Sequence, residues 1–188
     1  MSALERQQRG LLELVKQRFS LPADPYLRRV AVSQELVLVR KIALWWRAYA
    51  LEAQCCFTTR LLKHLGCFDA LVANYFDHNA TSPYIEELSL AFLGSLHDHG
   101  DRLIQTMSRF EYALLATRAG SAVAHEIVWD RHPDLVILAL ETGGELPARE
   151  PGCRYRMRVA RDLPHMIACI RESTRLDHAD SQLATGAA

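Results

Sequence analysis

The chain has 188 residues, 49% of them hydrophobic and 23% charged, which supplies apolar material for a packed core and sets a scale of one domain or two small ones. Lys plus Arg and Asp plus Glu both number 22, a net charge of zero, which argues against a general nucleic-acid binder, because such proteins need a basic surplus to neutralise phosphates. The charge is unevenly placed: residues 1–65 carry a net +6, residues 66–150 a net −8 and the remainder a net +2, an asymmetry that either guides a charged partner or holds the two halves together.

The elements are predicted in chain order. Leu4, Leu11, Leu12 and Val15 make a stripe at helical spacing over residues 3–18. Asp24-Pro25 suits the start of a second helix, and no Pro or Gly follows until Gly66. That stretch is expected to form one long helix or two joined by a kink. Val32, Leu36, Val39, Ala43 and Trp46 lie along one side of it, and Leu38, Ile42, Trp45 and Tyr49 widen the side, so the helix is expected to be central. Its most apolar stretch, Leu36 to Leu51, is interrupted by Arg40, Lys41 and Arg47 and falls short of the ~20 apolar residues of a membrane span.

A short helix is predicted around Phe68 to Phe76, then a turn-rich loop to Pro83, with Ser82 as cap for a helix to Leu96. Asp101 caps a further helix burying Leu103, Ile104, Met107, Phe110 and Leu114. After Gly120 the pattern changes. Val123 to Trp129 reads as a strand, Asp134 to Glu141 as a short helix, and Cys153 to Arg161 alternates with period two, which makes a half-exposed strand. A last strand is expected over His165 to Ile170. The fold class is therefore α+β, mostly α: a helical domain over 1–118, a small β-α-β-β unit over 119–172, and a small, polar, disordered tail over 173–188.

Candidate chemistry is sparse. His64-x-x-Cys67 and His97-x-His99 are each half of a zinc site, and neither has a closely spaced second pair. Cys55 and Cys56 are adjacent, so on a helix they point about 100° apart. Glu86, Glu87 and Glu111 are carboxylates on helices, and the ordinary expectation for each is a solvated face. There is no nucleophile elbow, phosphate-cradling glycine loop or His-Glu-x-x-His pattern. No metal or other cofactor is expected in this chain. Five cysteines without framework spacing, and a polar Met1 to Arg9 without a secretory pattern, lead to a cytoplasmic expectation.

Two features favour binding. Arg154, Arg156 and Arg158 alternate on one strand face and can grip carboxylates of a peptide; the alternative is a face kept soluble by charge. Trp45, Trp46 and Tyr49 are candidates for a partner interface, where tryptophan is enriched; the alternative is core packing between two layers.

Several segments resemble a known family. They are Ser82-Pro-Tyr-Ile-Glu-Glu-Leu-Ser with Phe92-Leu93, Arg109-Phe-Glu-Tyr-Ala-Leu114, Val128-Trp-Asp-Arg-His-Pro133 and Gly144-Glu-Leu-Pro147. Over residues 25–171 the chain resembles the TglI-like partner proteins of multinuclear non-heme iron enzymes that modify ribosomally made peptides, with a looser likeness to HvfC-type proteins. The resemblance implies a non-catalytic subunit of a 3-thiaglutamate pathway. It would bind the leader region of a carrier peptide, through a unit of the recognition-element or winged-helix kind. It would dock the peptide on a TIM-barrel, TglH-like enzyme that holds the iron and excises the β-carbon of a C-terminal cysteine. The resemblance assigns no individual contact residue. Two other classes stay open: a winged-helix-like DNA-binding regulator, against which the zero net charge counts, and a stand-alone small-molecule enzyme with a helical pocket.

Overall fold

In a computed structural model, residues 2–16, 23–79 and 81–173 are described. The elements run α1 (Ala3–Val15), α2 (Pro25–Ala31), α3 (Gln34–Gln54), α4 (Cys56–His64), α5 (Phe68–His78), α6 (Ile85–Ser95), α7 (Arg102–Arg118), β1 (His125–Trp129), α8 (Pro133–Thr142), β2 (Cys153–Val159) and β3 (Ile167–Ser173). The protein is an α+β fold, mostly helical, with one small antiparallel sheet of order β1-β2-β3. No helix among the described residues is long and apolar enough to cross a membrane.

Side-chain caps from the preceding residue start four of the eight helices among the described residues, α1, α2, α3 and α7. Ser2 and Glu5 form a reciprocal capping box at the start of α1. The Asp24 carboxylate accepts the Tyr26 and Leu27 N–H groups, with Pro25 at the first position of α2. The expected long helix from Pro25 to Leu65 is instead three helices. Ser33 interrupts it by capping α3 through the Leu36 N–H. Cys55 interrupts it again with a non-helical backbone, φ −103° and ψ 54°. Neither break uses Pro or Gly. Asp101 caps α7 as its sequence predicts, and Gly143, at φ 68°, ends α8 in the left-handed conformation that glycine adopts without strain.

The core forms around α7, which buries Leu103, Ile104, Met107, Phe110, Ala113 and Leu114. Leu51, Leu61, Leu62, Phe92 and Leu93 reach it from the other helices, and Trp129, Tyr155, Met157 and Val159 from the sheet. This cluster runs continuously through residue 118, so the sheet has no core apart from the helices. A smaller cluster of Leu14, Leu27 and Leu36 joins α1, α2 and α3. Leu11 and Val15 of the predicted stripe pack against it, whereas Leu4 and Leu12 are exposed, and Gly10 is buried with Leu27 in the space a Cβ would take.

α3 is not central. Among its residues only Leu36 and Leu51 are buried, while Val37, Leu38, Val39, Ile42, Trp45, Trp46 and Tyr49 are exposed. The last strand begins two residues later than predicted, because His165 and Met166 turn with positive φ, and it extends to Ser173, the first residue of the expected tail. The rest of that tail, 174–188, and residues 17–18 at the expected end of the first helix lie outside the described residues.

Candidate functional site

The sheet places the arginine ladder on its central strand. β2 pairs with β1 on one side and β3 on the other, with Arg156 opposite Val128 and Ile170. Tyr155, Met157 and Val159 are buried, and Arg154, Arg156 and Arg158 point outward, as the alternation predicts. Two of the three guanidinium groups are engaged within the chain. Arg156 donates to Glu126 of β1 at 3.1 Å and to Glu172 of β3 at 2.9 Å, bridging all three strands. Arg158 lies 3.5 Å from Asp162. The ladder is therefore largely a solvated ion-pair network across an open sheet face, and neither sheet edge is formed by β2.

The edges are β1 and β3. Beside β1 runs a groove of about 460 Å³ lined by Arg102, Gln105, Thr106 and Arg109 of α7 and by Glu126, Ile127 and Val128. Strand addition needs an unpaired edge and room for alternate side chains, and this groove offers both. Arg109 is held by the His97 carbonyl at 2.9 Å, with Asp98 at 3.8 Å. The sequence reading missed Arg102 and Arg109, because they belong to a helix whose contact with β1 is set by the tertiary fold.

The second surface is α3. Leu38, Ile42, Trp45 and Tyr49 step by four, three and four residues, and the face they form is turned outward. Trp45 and Trp46 are 59% and 58% exposed. Their ring centroids lie 4.9 Å apart, and both lie about 6 Å from Tyr49. The inward side of the helix carries Leu36, Leu44, Ala48 and Leu51, and beside them Arg40 donates to the Leu14 carbonyl at 2.6 Å and 3.0 Å and the Arg47 guanidinium stands 5.3 Å from the Phe76 ring centroid. The helix is therefore apolar on both sides, where a surface helix ordinarily turns a polar face to solvent. Three rings of a size that buries about 200 Å² each, each more than half exposed, already present a patch within the ~300–600 Å² of a typical monomer's largest apolar patch. The neighbouring aliphatic side chains enlarge it. A helical wheel could reveal the stripe but not which way it faces.

The remaining candidates are dispersed or structural. His64 is exposed, the Cys67 thiol donates to the Leu62 carbonyl, and His99 Nδ1 accepts the Asp101 N–H. Among the described residues no group of three or more His, Cys, Asp or Glu side chains is placed to hold a metal ion. Glu86 and Glu87 are exposed, but Glu111, expected on a solvated face, is 2% exposed and caps α4 across the core. Burial raises its carboxyl above the ordinary range, against the opposing pull of the Phe57 and Thr58 N–H groups. Burial, with the neighbouring Glu111, pushes the Cys55 thiol up to about 12, which leaves it an inert thiol.

Residues 129–133 form a clasp. Trp129 is fully buried against Phe110. Asp130 pairs with Arg131 and Arg149, Arg131 donates to the Pro147 carbonyl, and the Glu150 N–H donates to the Asp130 carbonyl. Pro133 opens α8. The clasp pins the extended 143–152 segment, whose Glu150 accepts the Tyr155 hydroxyl and the Arg171 guanidinium. Comparison with family models, characterised proteins and solved structures yields no match to this chain.

Proposed function

We propose that this chain is a non-catalytic binding subunit that holds an extended peptide along the β1 edge and docks through the α3 face on a larger enzyme. The observation that carries the reading is the orientation of α3, with Leu38, Ile42, Trp45, Trp46 and Tyr49 outward and Arg40 and Arg47 inward. A cluster of tryptophan and tyrosine at the middle of an exposed apolar patch has the composition of a binding hot spot. The groove beside β1 supports the peptide half of the reading, with Arg102 on its wall to meet an acidic side chain. The ladder on β2 lies between the two edge strands, and Arg154 is its residue outside the ion pairs that engage Arg156 and Arg158.

The identity of the partner rests on the sequence resemblance: a TIM-barrel, TglH-like enzyme carrying the multinuclear iron, acting on a carrier peptide in the cytoplasm. This chain then needs no metal of its own. The test is co-expression with such a barrel enzyme followed by size exclusion. The expected result is co-elution at micromolar concentration, lost in Trp45→Ala/Trp46→Ala. Separate elution of the two wild-type proteins overturns the reading.

A further inference from the structure

We propose that the cleft between the C-terminal ends of α1 and α5 and the inward side of α3 is a binding site for a compact multivalent oxyanion, bearing phosphate or carboxylate groups. The cleft has a volume of about 280 Å³, and four cations line it: Lys16, Arg40, Lys41 and Arg47. Among the described residues Asp77 is the one acidic side chain on its lining, and Phe76 and Leu44 supply apolar wall.

Part of this charge has a structural account. Arg40 satisfies the Leu14 carbonyl at the negative end of α1. Arg47 stacks over Phe76. Lys16 and Lys41 have no such account, since among the described residues neither ammonium makes a hydrogen bond or an ion pair. Four cations around one concavity repel one another, and half-burying Arg40 and Arg47 costs solvation. An anion in the cleft offsets both terms. It also accounts for why α3 turns its arginines inward, which the outward apolar face does not explain by itself.

The ligand's size follows from the cleft. Drug-sized ligands and cofactors occupy about 300–1,000 Å³, and a cleft of about 280 Å³ lies at the small end of that scale, which suits pyrophosphate or a tricarboxylate. Guanidinium groups grip either oxyanion in bidentate fashion, and the lysines add point charge.

The experiment is titration of the full chain with sodium pyrophosphate and, separately, sodium citrate, followed by calorimetry and thermal denaturation at matched ionic strength. At least one anion is expected to bind saturably near one per chain and to raise the melting temperature; which one does so separates phosphate from carboxylate chemistry. Lys16→Gln/Lys41→Gln spares the two structurally engaged arginines and is expected to raise Kd at least tenfold with unchanged circular dichroism. Arg154→Ala, a basic side chain far from the cleft in sequence and on the sheet, is expected to leave Kd unchanged. No saturable binding of either anion, an unchanged Kd in the lysine variant, or an equal loss in Arg154→Ala overturns the proposal. None of these outcomes depends on a protein partner, so failure here is distinct from failure of the docking reading.

Discussion

Glu111 of α7 closes the first turn of α4 at Thr58, accepting its N–H at 2.8 Å with one carboxylate oxygen while the other takes the Phe57 N–H at 2.9 Å. The two residues are 53 positions apart. A helix start ordinarily draws its cap from the residue before it, but Cys55 makes no side-chain cap hydrogen bond, so the core helix supplies one instead. Glu111→Ala leaves two N–H groups without a partner, each worth about 1–3 kcal/mol when buried. A loss of about 3 kcal/mol in urea denaturation is expected, and a loss under 1 kcal/mol would show that water replaces the carboxylate.

The same group makes stability depend on pH. Its folded-state pKa is raised by burial, so the folded chain holds this proton more tightly than the unfolded chain. The contribution is fully present below the unfolded pKa, about 4.3 for glutamate, and is lost as pH rises through the folded value. Wild type is therefore expected to lose stability relative to Glu111→Gln as pH rises above about 4.3, read as the difference between their denaturation midpoints. Parallel curves over pH 4–8 would show that folding does not shift this carboxyl.

Trp45→Ser and Ile42→Ser are expected to leave folding stability within about 0.5 kcal/mol, the range of surface substitutions, because both side chains are about half exposed. Each is expected to weaken partner docking by roughly 2 kcal/mol or more, the scale of a hot-spot residue. Urea denaturation and sedimentation of the mixed proteins measure the two effects separately. A large stability loss with unchanged docking would assign these side chains to intramolecular packing.

Arg156 and Arg154 are expected to separate. Arg156→Ala removes the bridge from Glu126 to Glu172 and lowers the melting temperature, while Arg154→Ala leaves it unchanged. The difference shrinks in 1 M salt, where the Debye length is about 3 Å. Arg156→Glu would set a third carboxylate beside Glu126 and Glu172, so reversing the whole ladder perturbs the sheet as well as any ligand. Arg102→Glu at the β1 groove is the cleaner peptide-binding variant. Equal melting temperatures for Arg154→Ala and Arg156→Ala would show that the bridge adds nothing.

His165 turns with φ 56°, followed by Met166 at φ 63°. Side chains in this region strain the backbone by about 1–2 kcal/mol, and glycine relieves the strain at some entropic cost in the unfolded chain. His165→Gly is expected to stabilise the protein by about 0.5 kcal/mol in thermal denaturation. Destabilisation would mean that the imidazole makes a compensating contact.

Local chemistry was legible in the sequence wherever it decided the outcome. Asp24, Ser33 and Asp101 accept backbone N–H groups at helix starts, and Tyr155, Met157 and Val159 alternate inward on β2. Asp101 and the β2 alternation follow from local pattern alone. Ser33 is masked by an apolar stripe that continues through it on both sides. The direction in which α3 faces was not legible, since periodicity fixes a stripe and not its neighbours. The same holds for the burial of Glu111, whose partners Phe57 and Thr58 are remote in sequence. The ladder on β2 was recognisable as an exposed face, but the flanking Glu126 and Glu172 that engage Arg156 arrive only with strand register. The segments that resemble the peptide-modifying partner family mostly supply architecture: Phe110 and Glu111 lie in the core, and residues 129–133 form the clasp.

The contrast between the indoles gives the protein its own optical reporters. Of its three tryptophans, Trp45 and Trp46 stand in solvent together and Trp129 is sealed in the core. Iodide can reach the first two and not the third. A quenchable fraction of the emission therefore tracks the α3 surface, and the unquenched remainder tracks the integrity of the sheet against α7. Coverage of α3 by a partner should protect the quenchable pair without altering the shielded one, whereas unfolding should expose all three. One fluorescence titration on the unmodified chain can thus tell docking from denaturation, with no label attached to either surface.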